Sequence, residues 1–397
     1  MKDIGGTVEP GFETIRDAFG VAEADDPGGA QLCIWRHGRK VVDLWTGEDP
    51  VKGRPFDKDT ITILMSCTKG ATAVCANILA ERGLLDTDAP VARYWPEFAA
   101  NGKSQMPVKY LLSHSAGLFG VEENSGVGPR ELLKPEVTAA ALARMEPLWE
   151  PGTASFYHFV SYGYMVGELI RRVSGKTVGR FFADEVAGPL KLDLWIGLPE
   201  SEEHRVAAHF RPGPPPLTAE QWRKTFSGMG IDADTRLMKA LIYTFTTTEE
   251  LIESLNTREG HAVEIAAGNG IGNARSLSKM YAACIGEVDG VRLFNTKTME
   301  RARTPLTDNI PTLPIAPSTM SGNGPQRFGL GFELTRGIEP MLGPGSFGHA
   351  GAGGKMAFAH PESGFAVAYV CSAMLWDGAS GPDARWLPWT KALKELV

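Results

Sequence analysis

Ser66-Cys67-Thr68-Lys69 is the stretch of this chain best suited to covalent chemistry. Residues i and i+3 share a helix face, so Lys69 can reach the Ser66 hydroxyl. A serine is a poor nucleophile until a base takes its proton. A lysine can be that base where burial and nearby positive dipoles disfavour its charge. The apolar residues that follow, Ala71, Val74, Cys75, Ile78 and Leu79, supply the burial. A helix opening at Ser66 also aims backbone N–H groups at the place where an oxyanion would form. The same spacing recurs at Ser276-Leu277-Ser278-Lys279, where Ser276 reads most simply as a helix N-cap. The pattern alone therefore leaves Ser66 open to two readings, a nucleophile or an N-cap followed by a solvated lysine.

Two further stretches carry groups able to work with Ser66. Pro151-Gly152-Thr153 leads into Tyr157-His158-Phe159. A tyrosine beside a lysine can act as a phenolate or a proton shuttle; the alternative is a core tyrosine with its hydroxyl satisfied. Phe347-Gly348-His349-Ala350-Gly351-Ala352-Gly353-Gly354-Lys355 lies between two strand-like runs. Small residues there let a ligand approach the backbone, and an N–H on this strand can complete an oxyanion hole; a plain glycine-rich hairpin is the alternative. Phe119, Trp195 and Trp376 belong either to a binding wall or to the core. Gly343-Pro344-Gly345-Ser346-Phe347-Gly348 satisfies G-x-G-x-x-G, but strands rather than a helix follow it, so the dinucleotide reading fails. The chain has no phosphate-loop signature and no G-x-S-x-G elbow. His204 and His209 are poorly spaced for one helix face. No metal and no cofactor are expected.

The elements that must position these groups are legible in outline. Runs 30–36 and 40–46 around His37-Gly38-Arg39 predict a β-hairpin. Residues 66–82 predict a helix stopped by Arg82 and Gly83. Further helices are expected over 160–173, ending at Gly175, and over 177–187, capped by Thr177 and stopped at Gly188. A stiff Pro-Gly-Pro-Pro-Pro loop at 212–216 precedes polar helices over 217–260. Another helix opens near Ser276. Strands are expected at 328–334, 346–350, 355–360 and 364–371, with a last helix over 384–396. Strands at both ends around a helical middle predict an α+β protein. Residues 1–70 and 270–397 would form an antiparallel sheet unit, and 71–269 a mostly helical one.

Composition bounds the partners. A chain of 397 residues has room for two or three domain-sized units. Lys plus Arg number 40 against 47 Asp plus Glu, a net charge of −7, which argues against nucleic acid as a partner. No apolar run of about 18 residues predicts a membrane span, and the first residues do not read as a signal peptide. The 5 cysteines lack C-x-x-C spacing and read as free thiols in a reducing cytoplasm.

In this order and at these separations, the Ser-x-x-Lys, Tyr157 and His349-Ala350-Gly351 stretches resemble the serine β-lactamase and penicillin-binding-protein superfamily. The closer resemblance is to its esterase branch, the family VIII carboxylesterases. Leu111-Leu112-Ser113-His114-Ser115-Ala116-Gly117-Leu118, Pro151-Gly152-Thr153 and Gly270-Ile271-Gly272-Asn273-Ala274-Arg275 also look like that branch, from about residue 28 to 375. The resemblance implies a β-lactamase-like (DD-peptidase-like) fold with the active site in the cleft between the two units. It implies Ser66 as acyl-forming nucleophile, Lys69 as base, Tyr157 as proton relay, and an oxyanion hole from the N–H groups of Ser66 and Ala352. His349, Gly351, Phe119, His158 and Trp376 are the expected substrate-side residues. Two departures bear on substrate. Phe159 stands where an asparagine is usual, and His349 replaces the lysine of a Lys-Thr-Gly strand. A neutral histidine attracts a carboxylate poorly at pH 7. The expected reaction is hydrolysis of an uncharged, short-chain acyl ester, a small molecule. Amide hydrolysis of the β-lactamase or D-amino-peptidase kind and acyl transfer are the alternatives on the same site, with a non-catalytic binding role behind them.

Overall fold

His37 and Gly38 both adopt left-handed backbone, with φ of 47° and 75°, the combination a two-residue type I′ turn requires. They close the predicted hairpin, Ala30–Arg36 against Arg39–Thr46. The computed structural model describes residues 2–320 and 324–397. In it the hairpin is part of a 7-stranded sheet. The order is Ile4–Val8, Arg39–Thr46, Ala30–Arg36, Phe365–Cys371, Lys355–His360, Phe347–Gly351 and Glu333–Leu334. Every pairing is antiparallel. The two chain ends meet where Phe365–Cys371 pairs with Ala30–Arg36.

Alternation along the strands separates two cores. Leu32, Ile34, Phe358, Val367 and Tyr369 face the helices Glu13–Ala22 and Trp386–Lys394. The opposite face is cut small, with Ala357, Ala359, Ala366 and Ala368. This lets helix Ala274–Ile285 lie close on the sheet, with helix Cys67–Glu81 sharing the same core. Residues 82–269 are mostly helical, including Ser161–Ser174, Ala219–Gly228 and Arg236–Ser254. Gly175 stops the first of these in left-handed backbone. A second, 4-stranded sheet joins the parts: Ile61–Ile63 lies between Gly270–Gly272 and Val206–Ala207.

Several local expectations are corrected. The strand expected over 328–334 is reduced to Glu333–Leu334. The helix expected to stop at Gly188 continues through a π-turn, Ala183–Ala187, as far as Leu190, where Lys191 takes left-handed backbone. Thr177 does cap its start, accepting from the Arg180 N–H. Ser276 is not the cap of its helix: Asn273 is, accepting from the Ser276 N–H at 2.8 Å. The strand Ile4–Val8 and helix Glu13–Ala22 carried no expectation.

Arg385 ties the C-terminal segment to the turn that follows Ala352. It is almost fully buried, pairs with Asp26 at 2.7 Å and with Asp383, and donates to the Gly353 carbonyl. Only glycine fits at 354, because a Cβ there would lie 2.0 Å from the guanidinium. Removing one partner of such a buried network strands the others without water. Arg385→Ala should lower the unfolding free energy by about 3–5 kcal/mol, read as a fall in the urea midpoint at unchanged slope.

Candidate active site

The strand Ile61–Ile63 turns abruptly into helix Cys67–Glu81 through Leu64, Met65 and Ser66. Met65 takes left-handed backbone, φ 47°, which costs a non-glycine residue of order 1 kcal/mol or more. Neighbours hold it there. Leu64 N–H donates to the Gly270 carbonyl at 2.8 Å, and Thr68 donates to the Met65 carbonyl from both N (2.9 Å) and Oγ1 (2.7 Å). Thr68 Oγ1 also accepts from the Gly270 N–H at 2.9 Å. Strand Phe347–Gly351 presses on the same turn, where a Cβ on Gly351 would lie 2.6 Å from the Leu64 carbonyl oxygen. Ser66 thus stands at the helix start, yet its side chain caps no backbone N–H. The N-cap reading of Ser66 is set aside by that geometry.

Lys69 is fully buried one helical turn on. Its Nζ lies 3.0 Å from Ser66 Oγ and 3.0 Å from the Ala267 carbonyl oxygen. Thr72, further along the same helix, holds the adjacent Ala266 carbonyl at 2.7 Å. Burial lowers the Lys69 pKa to about 7, against the opposing pull of Glu333 and Cys67. The amine therefore exists partly neutral near neutral pH. In that form it can donate to Ala267 and accept from Ser66.

Tyr157 completes the cluster. Its ring centre is 4.7 Å from Lys69 Nζ, and the Ser66 side chain is near enough to act on its phenol. Burial, with Glu333 nearby, pushes the phenol well above its usual pKa, so the tyrosine keeps its proton near neutral pH. The Leu111–Leu118 stretch forms the platform beneath it. His114, itself in left-handed backbone, lies 4.9 Å from the Tyr157 ring and accepts from the His158 N–H at 2.9 Å. Burial keeps His114 and His158 neutral, His158 at about 3.

Ser66, Tyr157, Ala352 and Trp376 share the wall of a cavity of about 740 Å³. The other expected substrate-side residues do not reach it. Phe119 is buried between Trp149 and Phe156. His158 is spent on the Phe156 carbonyl and the Leu118 N–H. His349 packs behind Tyr157, ring centres 5.9 Å apart, with Nδ1 donating to the Ala350 carbonyl. Gly351 serves close packing against the serine turn. For His158, His349 and Gly351 the adjacent residues, Tyr157 and Phe159 or Ala350 and Ala352, took the cavity side, because successive side chains point to opposite sides of the backbone. Trp195 lies at the edge of the core beneath Arg205.

Sequence reasoning missed a polar group on the wall of the same cavity. Glu333 accepts the Ala350 N–H at 2.7 Å, and Arg336 pairs with Glu339 at 2.5 Å. Burial raises both carboxyls, Glu339 to about 8. Glu333 lies in the edge strand Glu333–Leu334, while Arg336 and Glu339 follow in irregular chain with no periodicity, so no spacing rule could have grouped the three. Among the described residues no cluster of His, Cys, Asp and Glu is placed to hold a metal ion. Among the same residues no helix is long and apolar enough to cross a membrane.

The Beta-lactamase family profile matches residues 21–387, and the chain belongs to that family. It is 32% identical over 387 residues to the esterase/beta-lactamase LipL of Mycobacterium tuberculosis (strain ATCC 25618 / H37Rv), covering 93% of this chain and 83% of the relative. A crystal structure of a family VIII carboxylesterase superposes with a TM-score of 0.83 at 32% identity, covering 100% of both chains. A penicillin-binding protein homolog from Caulobacter crescentus is similar at TM-score 0.79 and 32% identity, again over 100% of both. The antiparallel sheet with flanking helices is thus a β-lactamase-like fold.

The buried amine has a thermodynamic signature. Above about pH 7 the folded chain holds Lys69 neutral, while an unfolded lysine, near 10.5, stays charged. Unfolding then takes up a proton, so this group makes stability rise with pH between those values. Lys69→Met should therefore be more stable than wild type at pH 6, and its advantage should shrink as pH rises. Urea unfolding of both proteins across that range reads the difference.

Proposed function

We propose that Ser66, Lys69 and Tyr157 carry out ester hydrolysis through an acyl-enzyme. The chain is a serine carboxylesterase of the β-lactamase type, as its esterase relatives and carboxylesterase neighbour support. The observation that carries the mechanism is the 3.0 Å approach of a fully buried Lys69 amine to Ser66 Oγ. Neutral Lys69 takes the Ser66 proton as Oγ adds to the ester carbonyl. The oxyanion is held by the N–H groups of Ser66 and Ala352. The ester C–O bond then breaks, and the leaving alkoxide takes a proton from the Tyr157 hydroxyl, which Lys69 replenishes. Water, deprotonated by the same pair, attacks the acyl-enzyme and releases the acid and Ser66.

An uncharged, short acyl ester fits the site better than a carboxylated β-lactam. His349 is buried and neutral, and Phe159 presents an aryl ring to the cavity. The cleft is formed between a sheet unit, residues 1–70 and 270–397, and a mostly helical unit, 71–269; Met1 and residues 321–323 of these spans lie outside the described residues. The 5 cysteines are free and buried, which supports a reducing, cytoplasmic setting. The partner is a small molecule, without nucleic acid.

Ser66→Ala should abolish release of nitrophenol from p-nitrophenyl butyrate, and Tyr157→Phe should lower kcat by about 100-fold or more. A retained wild-type rate in Ser66→Ala refutes the assignment. A phosphonate ester should add one adduct to the wild-type mass and none to Ser66→Ala. The same substrate should show kcat/KM rising with pH through about 7, because protonated Lys69 cannot accept the serine proton. A flat profile through that region would remove Lys69 as the base.

A further inference from the structure

Aromatic rings run in unbroken contact from the reacting centre outward. Tyr157 meets Phe159 at 5.2 Å, Phe159 meets Phe245 at 5.4 Å, and Phe245 meets Trp222 at 4.9 Å. Trp222 in turn stacks on Phe226 at 5.5 Å, which anchors the outer end in a buried cluster. These separations fall in the range of favourable ring contacts. The first four rings line the cavity, and Pro214–Pro216 flank them. The polar group Glu333, Arg336 and Glu339 lies on the same cavity's surface but contributes no ring to this file.

Two observations, together with the mechanism proposed above, point to what the file receives. The cavity, about 740 Å³, is of the size that takes drug-sized ligands, about 300–1,000 Å³; a short acyl group on Ser66 leaves most of it empty. Phe159 meets Tyr157 on the cavity wall, so the wall beyond Tyr157 continues as apolar surface. Tyr157 gives its proton to the leaving oxygen, so the alcohol half of the ester must lie on the Tyr157 side, where the file begins.

We infer that the alcohol half of the substrate is a bulky apolar group, aromatic or polycyclic, seated along Tyr157, Phe159, Phe245 and Trp222, with a small acyl half. This rests on the serine esterase reading above. Trp222 and Phe245 are then specificity-determining residues far from the bond that breaks.

The test compares propyl acetate, 3-phenylpropyl acetate and 3-(2-naphthyl)propyl acetate by acid release. All three expel an unactivated primary alkoxide, so their intrinsic reactivity is matched. The wild type should favour the aryl esters over propyl acetate by at least tenfold in kcat/KM, chiefly through KM. Phe245→Ala and Trp222→Ala should each reduce that preference ratio at least fivefold, while Trp222→Phe should keep most of it. An unchanged ratio in both alanine variants overturns the inference, as does a wild type indifferent to the aryl group. So does a gain confined to an acyl series, p-nitrophenyl 4-phenylbutyrate over p-nitrophenyl butyrate. Failure of the wild type to cleave any of these esters, p-nitrophenyl butyrate included, would instead defeat the esterase reading itself.

Discussion

An amine taken out of water and left with two hydrogen-bond partners is the constraint on which the rest of this structure depends. Lys69 has the Ala267 carbonyl and the Ser66 hydroxyl and, among the described residues, no carboxylate within ion-pair distance. Burying an unpaired ammonium is costly, so the group yields its proton more readily. Glu333 sits close enough to oppose this without cancelling it. The result is an amine poised near neutral pH beside a serine hydroxyl. That poise exists only while the helix that carries Lys69 stays dry.

The fold is arranged to keep it dry. Residues Cys67 to Leu79 of that helix are all buried, so up to its last turn the helix is packed on every side. Alanines on one face of the large sheet make room for the neighbouring helix Ala274–Ile285, and Thr72, through the Ala266 carbonyl, fastens the helical part to the other side. The strained Met65 then persists because Thr68, Gly270 and Gly351 over-determine its position. Strain at one residue is offset by a bond from the first turn of the helix that follows it and by packing from two distant parts of the chain.

The same tight packing explains why one short motif works at one place and not at another. Ser276-x-x-Lys279 has the spacing of Ser66-x-x-Lys69, but Lys279 reaches Asp289 and the Leu190 carbonyl, and Ser276 accepts the Asp193 N–H. An ion pair with an exposed aspartate thus occupies that amine, away from the Ser276 hydroxyl. Tyr157 is likewise separated from an ordinary core tyrosine only by its neighbours, with an amine over its ring and a serine at its hydroxyl.

The amino-acid sequence by itself determined the local elements whose causes are local: the type I′ hairpin at His37-Gly38, the helix after Ser66, the glycine stop at Gly175, and the small-residue strand around Gly351. It also carried the ordered motifs that place the chain in its family, and so the topology. Tertiary structure decided which face each side chain takes. His158 and His349 lie next to cavity-lining positions, yet packing turns them into the core, because neighbours on a strand or turn point to opposite sides, and Phe119 is held in a separate buried aromatic cluster. It alone assembled Glu333, Arg336 and Glu339, and it alone brought Phe159, Trp222 and Phe245 into one file from separate segments. Such groupings depend on how distant elements pack, and contacts between distant elements leave no period in a single sequence to read.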